Sequence, residues 1–139
     1  MLRTLFAPIV LAAALVMSPS LLTDPALASE PDGRFEPFSS ERFEALQAQG
    51  RAVLVDVYAD WCPTCRRQSA ILARLLAEEA FEDLVALKLD WDAQRSEARA
   101  LGAPRQSTLF VFRGGERQVM SVAETDEARL REVLGTALD

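Results

Sequence analysis

Histidine is absent from this chain of 139 residues, which has two cysteines and, beside 14 arginines, a single lysine. Without histidine, a Ser-His-Asp or Cys-His hydrolase and a histidine-ligated metal site are excluded. The net charge of −6 argues against nucleic acid as a partner. The positions of the lone lysine and of the two cysteines therefore become the most informative features of the sequence.

The first segment has the pattern of an export signal. Arg3 precedes a nearly continuous apolar stretch over 5–17, and Ala26-Leu27-Ala28 offers the small residues that signal peptidase accepts. We predict cleavage after Ala28. An uncleaved membrane anchor is the alternative, and it is disfavoured because Ser18-Pro19-Ser20 interrupts the apolar stretch.

The remaining residues have the size of one domain with one core. The sequence therefore divides into a signal peptide at 1–28, a flexible lead-in at 29–34 and a domain at 35–139. An exported acidic domain of this size is expected to be a monomer.

Both cysteines lie in the segment Trp61-Cys62-Pro63-Thr64-Cys65, between a predicted strand over Val53–Tyr58 and a predicted helix. Pro63 suits the first helical position, where its missing N–H costs nothing. The unpaired N–H groups of a helix start favour a thiolate at Cys62. Cys65, one helical turn on, can then attack a mixed disulfide at Cys62. A purely structural bridge is disfavoured, because so short a loop gains little stability from closure.

Two charged residues interrupt apolar runs that predict buried strands. Asp56 lies within Val53–Tyr58, and the only lysine, Lys88, lies within Leu84–Asp90. A buried charge is costly unless it is paired or has a use. In neighbouring strands the two would form a pair that tunes proton transfer. The alternative for Asp56 is a solvated edge of the sheet.

The rest of the chain predicts the order β-α-β-α-β-α-β-β-α. A short edge strand is expected at Phe35–Phe38, helix caps at Ser40, Asp92 and Thr125, and a β-hairpin around 113–116. This order predicts an α/β fold with a central mixed sheet and helices on both faces.

Taken together, these residues resemble the thioredoxin-like proteins of the bacterial periplasm. The resemblance rests on VLVDVYADWCPTC, with Asp56 six residues before Cys62, on the strand residue Lys88, and on TLFVFRGGE, which is similar to the family's TLLLFKNGE. It covers nearly all of the predicted domain. It implies a thioredoxin fold and a thiol–disulfide oxidoreductase that needs no cofactor.

The resemblance also implies a role for each matching residue. Cys62 would be the attacking nucleophile and Cys65 the resolving thiol, and Asp56 with Lys88 would assist proton transfer to Cys65. The surface that meets the substrate would include Trp61, Pro63, Thr64, Ser107 and Thr108.

Two further similarities bear on the direction of electron flow. YADWC resembles the C-terminal domain of the periplasmic transmembrane disulfide reductase, and CPTC occurs in thioredoxin-like reductants of cytochrome c maturation. The family's periplasmic oxidant has histidine between its cysteines, where this chain has Thr64. We therefore expect a reductase of protein disulfides that is recharged by a membrane electron donor.

One position departs from the family pattern. Ser107 stands where the family has a cis-proline, just before Thr108. The bond between Gln106 and Ser107 is then either trans, in a reshaped loop, or cis under strain. A competing alignment takes Pro104 as the cis-proline. With Ser107 in this place the substrate groove is altered, and a hydroxyl is expected near the sulfurs.

Two other classes of function compete with the oxidoreductase. The dithiol could hold a soft metal, either Cu(I) or a bridged iron–sulfur cluster. The chain could also be a redox-silent adaptor, although an adaptor would have no need of a buried Asp56–Lys88 pair.

Overall fold

The computed structural model describes residues 34–138, so the predicted signal peptide, most of the lead-in and Asp139 lie outside the described residues. The described part is a five-stranded mixed sheet with helices on both faces, in the predicted order. The strands are β1 (Phe35–Pro37), β2 (Val53–Tyr58), β3 (Val85–Asp90), β4 (Thr108–Arg113) and β5 (Glu116–Val122). The helices are α1 (Ser40–Ala48), α2 (Pro63–Leu76), α3 (Arg95–Leu101) and α4 (Glu127–Gly135), with a 3-10 turn at Glu79–Phe81.

Strand β2 is the centre of the sheet, whose strand order is β1-β3-β2-β4-β5. It runs parallel to β3 and antiparallel to β4. Leu54 packs into the core layer beneath α2 and α4, whereas Val53, Val55 and Val57 pack into the layer beneath α1 and α3. Each fully buried side chain of this size contributes about 1.5–3 kcal/mol through the hydrophobic effect. The two-sided burial fixes β2, and with it the loop that leaves its carboxyl end.

Two predicted helix caps are wrong by one residue. Ser39, not Ser40, caps α1, and Asp126, not Thr125, caps α4; each side chain accepts the backbone N–H three residues further on. In both cases two adjacent residues are good caps, and the one whose backbone stays extended takes the position.

The predicted cap at Asp92 is also wrong. Helix α3 begins at Arg95 after Gln94, and the preceding turn is organised by Asp90, whose carboxylate accepts the N–H groups of Asp92 and Ala93. Those two residues are therefore held outside the helix. The carboxylate of Asp92 is left available for a contact elsewhere in the fold.

The predicted edge strand and hairpin are confirmed. Pro37 lies in β1 at one edge of the sheet, where a missing N–H is tolerated. Strands β4 and β5 are joined by Gly114 and Gly115, both with positive φ, as a tight two-residue turn requires. None of the helices between residues 34 and 138 combines the length and apolarity needed to span a bilayer.

Candidate active site

The two thiols meet at the first turn of α2. Cys62 is the N-cap of the helix and Pro63 is its first residue, as predicted. The backbone N–H of Cys65 donates to Cys62 Sγ over 3.1 Å. Cys62 is 2% exposed and Cys65 is fully buried, and both are free thiols. An unpaired helix N–H thus points directly at the sulfur that must carry negative charge.

The surroundings move the pKa values of the two thiols in opposite directions. For Cys62, burial raises the pKa of the thiol, but hydrogen bonds from the Cys65 thiol and N–H, the Ser107 hydroxyl and the Thr64 N–H together bring it below the ordinary value. For Cys65, burial and the adjacent Cys62 sulfur raise the pKa. The first cysteine is therefore set to be a thiolate while the second keeps its proton.

We expect the alkylation of Cys62 by iodoacetamide to show this lowered pKa. Because only the thiolate reacts, the rate should rise as the pH rises through the pKa of Cys62, with a midpoint below that of the same cysteine in the unfolded chain. The rate is measured by mass spectrometry across pH, with the urea-unfolded chain as control. A folded midpoint equal to the unfolded one would contradict the hydrogen-bonding pattern.

Asp56 and Lys88 are brought together as predicted. They are register partners in β2 and β3, and Asp56 is fully buried, so the solvated-edge alternative is wrong. The hydroxyl of Ser69, one turn after Cys65 on α2, lies 3.3 Å from Asp56 Oδ2. Lys88 Nζ lies 4.4 Å from the centre of the Tyr58 ring. The carboxylate is thus held beneath the helix turn that carries the resolving cysteine.

The Gln106–Ser107 peptide bond is trans, and the loop is reshaped, as in the first of the two alternatives. None of the peptide bonds within residues 34–138 is cis, so neither a strained Gln106–Ser107 bond nor a cis Pro104 is present there. Ser107 instead has φ +63°, and Thr108 pairs with Val57 at the start of β4. The loop therefore reaches the strand register through a left-handed residue, at a cost of about 1–2 kcal/mol for a side chain other than glycine.

The predicted substrate surface is partly exposed and partly buried. Trp61 is 57% exposed, Pro63 is exposed and Thr64 is half-buried. Ser107 and Thr108 are fully buried, and the Thr108 hydroxyl donates to the carbonyl of Arg105. The side chain of Thr108 thus supports its own loop and is not exposed to a docked chain.

Two functional contacts escape sequence reasoning. The Trp61 indole N–H donates to Asp92 Oδ2 over 2.6 Å, and this bond, followed by that from Arg95, lowers the pKa of the Asp92 carboxyl. The second is made by Gln68, which is fully buried and whose amide oxygen lies 3.4 Å from the Ser107 hydroxyl. A glutamine three residues after Cys65, on the helix face that also buries Leu72 and Leu75, was the available signal for the second contact.

The soft-metal alternative finds no support at the site. Within residues 34–138, no group of three or more histidine, cysteine, aspartate or glutamate residues is arranged to hold a metal ion. Cys62 and Cys65 are the only thiols of the chain. Among the described residues the dithiol is therefore not joined by a histidine or carboxylate in a group that could hold a metal ion.

Comparison with known proteins agrees with this geometry. The thioredoxin family profile matches residues 35–136. The chain is 36% identical over 110 residues to the thiol:disulfide interchange protein DsbD of Ralstonia nicotianae, covering 70% of this chain and 18% of that protein. It is 33% identical over 96 residues to thioredoxin of Chlamydia muridarum, covering 69% and 91%. The crystal structure of Trxlp from Edwardsiella tarda matches with a TM-score of 0.70 at 41% identity, covering 72% and 97%.

Fold and site together define a thiol–disulfide oxidoreductase, built on a buried dithiol at a helix start. The profile match spans the sheet and its helices, and the chain belongs to the thioredoxin family. The predicted fold, family and class of enzyme are thereby confirmed. Since the chain spans 18% of the length of the Ralstonia protein, its similarity to that protein concerns one part of it.

Proposed function

We propose that this chain is a periplasmic reductase of protein disulfides, with Cys62 as the attacking thiolate and Cys65 as the resolving thiol. The observation that carries the proposal is the placement of the dithiol at the start of α2, where the backbone N–H of Cys65 donates to Cys62 Sγ and Cys65 itself is fully buried. This arrangement lowers the pKa of Cys62 and raises the pKa of Cys65. Because Cys62 is a thiolate while Cys65 is still protonated, Cys62 attacks the substrate first and Cys65 resolves the mixed disulfide second.

In the first step the Cys62 thiolate attacks one sulfur of a substrate disulfide. The substrate S–S bond breaks, a mixed disulfide forms, and the leaving thiolate takes a proton from solvent. Cys65 then loses its proton and attacks Cys62 Sγ, which breaks the mixed disulfide and releases the second substrate thiolate. Two electrons pass to the substrate, and the Cys62–Cys65 disulfide remains.

Asp56 is the proposed acceptor of the Cys65 proton. Its carboxylate is buried and contacts Ser69, which lies one turn beyond Cys65 on the same helix. A base is needed there because burial raises the pKa of the Cys65 thiol. Lys88, the register partner of Asp56, supplies the compensating positive charge.

The surface beside Cys62 is the proposed substrate-binding face. Trp61 presents an exposed ring there, and Asp92 fixes its orientation through the indole N–H. Pro63, which is exposed, and Thr64, which is half-buried, extend this face along the chain after Cys62. An oriented aromatic ring binds an extended chain with little loss of conformational entropy.

The location and the electron source are part of the same proposal. The leader pattern over 1–28 supports export, and a dithiol outside the cytoplasm needs an electron donor to reduce its disulfide again. Similarity to a segment of a protein named thiol:disulfide interchange protein supports exchange with a second dithiol. We place that donor in the membrane. The donor returns two electrons by the same exchange chemistry, run toward Cys62.

The reduction potential of the Cys62–Cys65 pair tests the proposed direction. We expect a value near that of thioredoxin, about −270 mV, from equilibration with dithiothreitol and glutathione buffers at neutral pH. Cys65→Ser, which cannot close the internal disulfide, is the control that assigns the signal to this pair. A value near about −120 mV would overturn the reductase assignment, because the protein would then donate disulfides.

A further inference from the structure

We propose that the Ser107 hydroxyl donates to the Cys62 thiolate in the reduced protein and turns to Gln68 Oε1 when the disulfide forms. Ser107 is then a catalytic residue that touches a reacting atom, and Gln68 is a positioning residue that acts through it. This inference goes beyond the proposed function, since it holds whichever way electrons flow through the dithiol.

The backbone of Ser107 is held on both sides. Its N–H donates to the carbonyl of Val57 over 2.7 Å, and its own carbonyl accepts the N–H of Ala123 over 2.8 Å. The residue is fully buried with φ +63°. Because the end of β2 and the loop after β5 both tie it down, rotation of the hydroxyl is the freedom left to it.

Gln68 is oriented by an independent contact. Its side-chain N–H donates to the carbonyl of Glu124 over 2.9 Å, and a carbonyl can only accept, so the amide nitrogen must face Glu124. The amide oxygen therefore faces Ser107, whose hydroxyl lies 3.4 Å from Gln68 Oε1. A fully buried glutamine is thus fixed with its acceptor toward the active-site loop.

One hydroxyl proton faces two kinds of acceptor. The distance of 3.4 Å to Gln68 is long for an O–H···O bond, whose usual length is about 2.7–2.8 Å. A thiolate is charged and attracts the proton more strongly than a neutral thiol or an amide oxygen does. The Ser107 hydroxyl faces both sulfurs: its hydrogen bonding helps lower the pKa of Cys62 and works against the rise in the pKa of Cys65, and Cys62 is the thiol that becomes charged first. In the disulfide the sulfurs are neutral, weak acceptors, so the proton turns to Gln68.

This rotation has a defined consequence for the redox equilibrium. The Ser107 hydroxyl stabilises the reduced, thiolate form, which makes the pair more oxidising. Gln68 stabilises the disulfide form by giving the same proton an acceptor, which acts in the opposite direction. The two residues therefore set the potential between them.

Ser107→Ala and Ser107→Gly test the first half. Both remove the hydroxyl, so the alkylation midpoint of Cys62 should rise equally in both, and the equilibrium constant with glutathione should shift toward a more negative potential by up to about tenfold, or about 30 mV. Glycine tolerates the left-handed backbone and should give the higher melting temperature. Ser121→Ala, a hydroxyl lost from β5, should leave midpoint and potential unchanged. An unchanged Cys62 midpoint in both Ser107 variants would overturn the proposal.

Gln68→Met tests whether Gln68 accepts the Ser107 proton in the disulfide form. Gln68→Leu replaces it if Gln68→Met does not fold. Removing the acceptor should move the potential in the less negative direction, opposite to Ser107→Ala. In the Ser107→Ala/Gln68→Met double variant this shift should vanish. A negative shift, or one that persists without the hydroxyl, would overturn the role of Gln68. A wild-type potential near that of an oxidant would instead sink the reductase assignment and leave these differences intact.

Discussion

Cys62→Ser should bring insulin-disulfide reduction down to the uncatalysed rate. The substitution keeps the size of the side chain and its acceptance of the Cys65 N–H, but a serine hydroxyl does not attack a disulfide sulfur. The loss should be complete because Cys65, the remaining thiol, is fully buried and has a raised pKa. Turbidity of precipitating insulin B chain, with dithiothreitol as reductant, measures the rate.

Cys65→Ser should block the second step of the reaction instead of the first. Cys62 can still attack, but nothing resolves the mixed disulfide, so a covalent complex with substrate should accumulate on a non-reducing gel and disappear with dithiothreitol. The Cys62→Ser/Cys65→Ser double variant is the control and should trap nothing. Undiminished turnover in Cys62→Ser would contradict the assignment of the nucleophile, whatever Cys65→Ser traps.

The centre of the fold could be predicted from sequence because its signals are local. The continuous apolar run of β2, Pro63 at the helix start and the cysteine spacing each determine structure within a few residues. The proximity of Asp56 and Lys88 could also be predicted, because two opposite charges inside buried strands of one sheet are best accommodated as neighbours.

Contacts that depend on the tertiary structure could not be predicted in the same way. Asp92 has the sequence signature of a helix cap, but Asp90 organises the turn and Asp92 binds the Trp61 indole, 31 residues away. The hydrogen bond between Ser107 and Gln68 spans 39 residues. Such pairs carry no periodicity, and only the folded chain shows which polar groups share a buried space.

The loop at Ser107 shows how such a contact changes the chemistry of a predicted site. The sequence shows that Ser107 replaces the family's cis-proline, and it predicts that the Ser107 hydroxyl lies near the sulfurs. The conformation of that loop is decided by bonds from β2 and from the residue after β5. These bonds select a left-handed serine and a buried hydroxyl, so the loop offers the dithiol a hydrogen-bond donor that a proline ring lacks.

Asp56→Asn should slow the second half of the reaction and leave the first intact. Asparagine has the volume of aspartate and can still contact Ser69, but it cannot take the proton of Cys65. We expect insulin reduction near neutral pH to fall by about a hundredfold, the lower end of what a general base contributes. Rapid acid quenching should show the mixed disulfide at Cys62 living correspondingly longer, with an unchanged rate of Cys62 alkylation.

The pH dependence separates this role from a structural one. Because solvent hydroxide can remove the proton from Cys65 as the pH rises toward the raised pKa of that thiol, the deficit of Asp56→Asn should shrink at high pH. A variant that was merely misfolded would not recover in this way. Asp83→Asn makes the same chemical change at an exposed position just before β3. This position lies at the amino ends of β2 and β3, whereas the dithiol follows the carboxyl end of β2, so this variant should react like the parent. A deficit in Asp56→Asn that stays constant across pH would show that Asp56 supports the packing beneath α2 rather than the proton transfer.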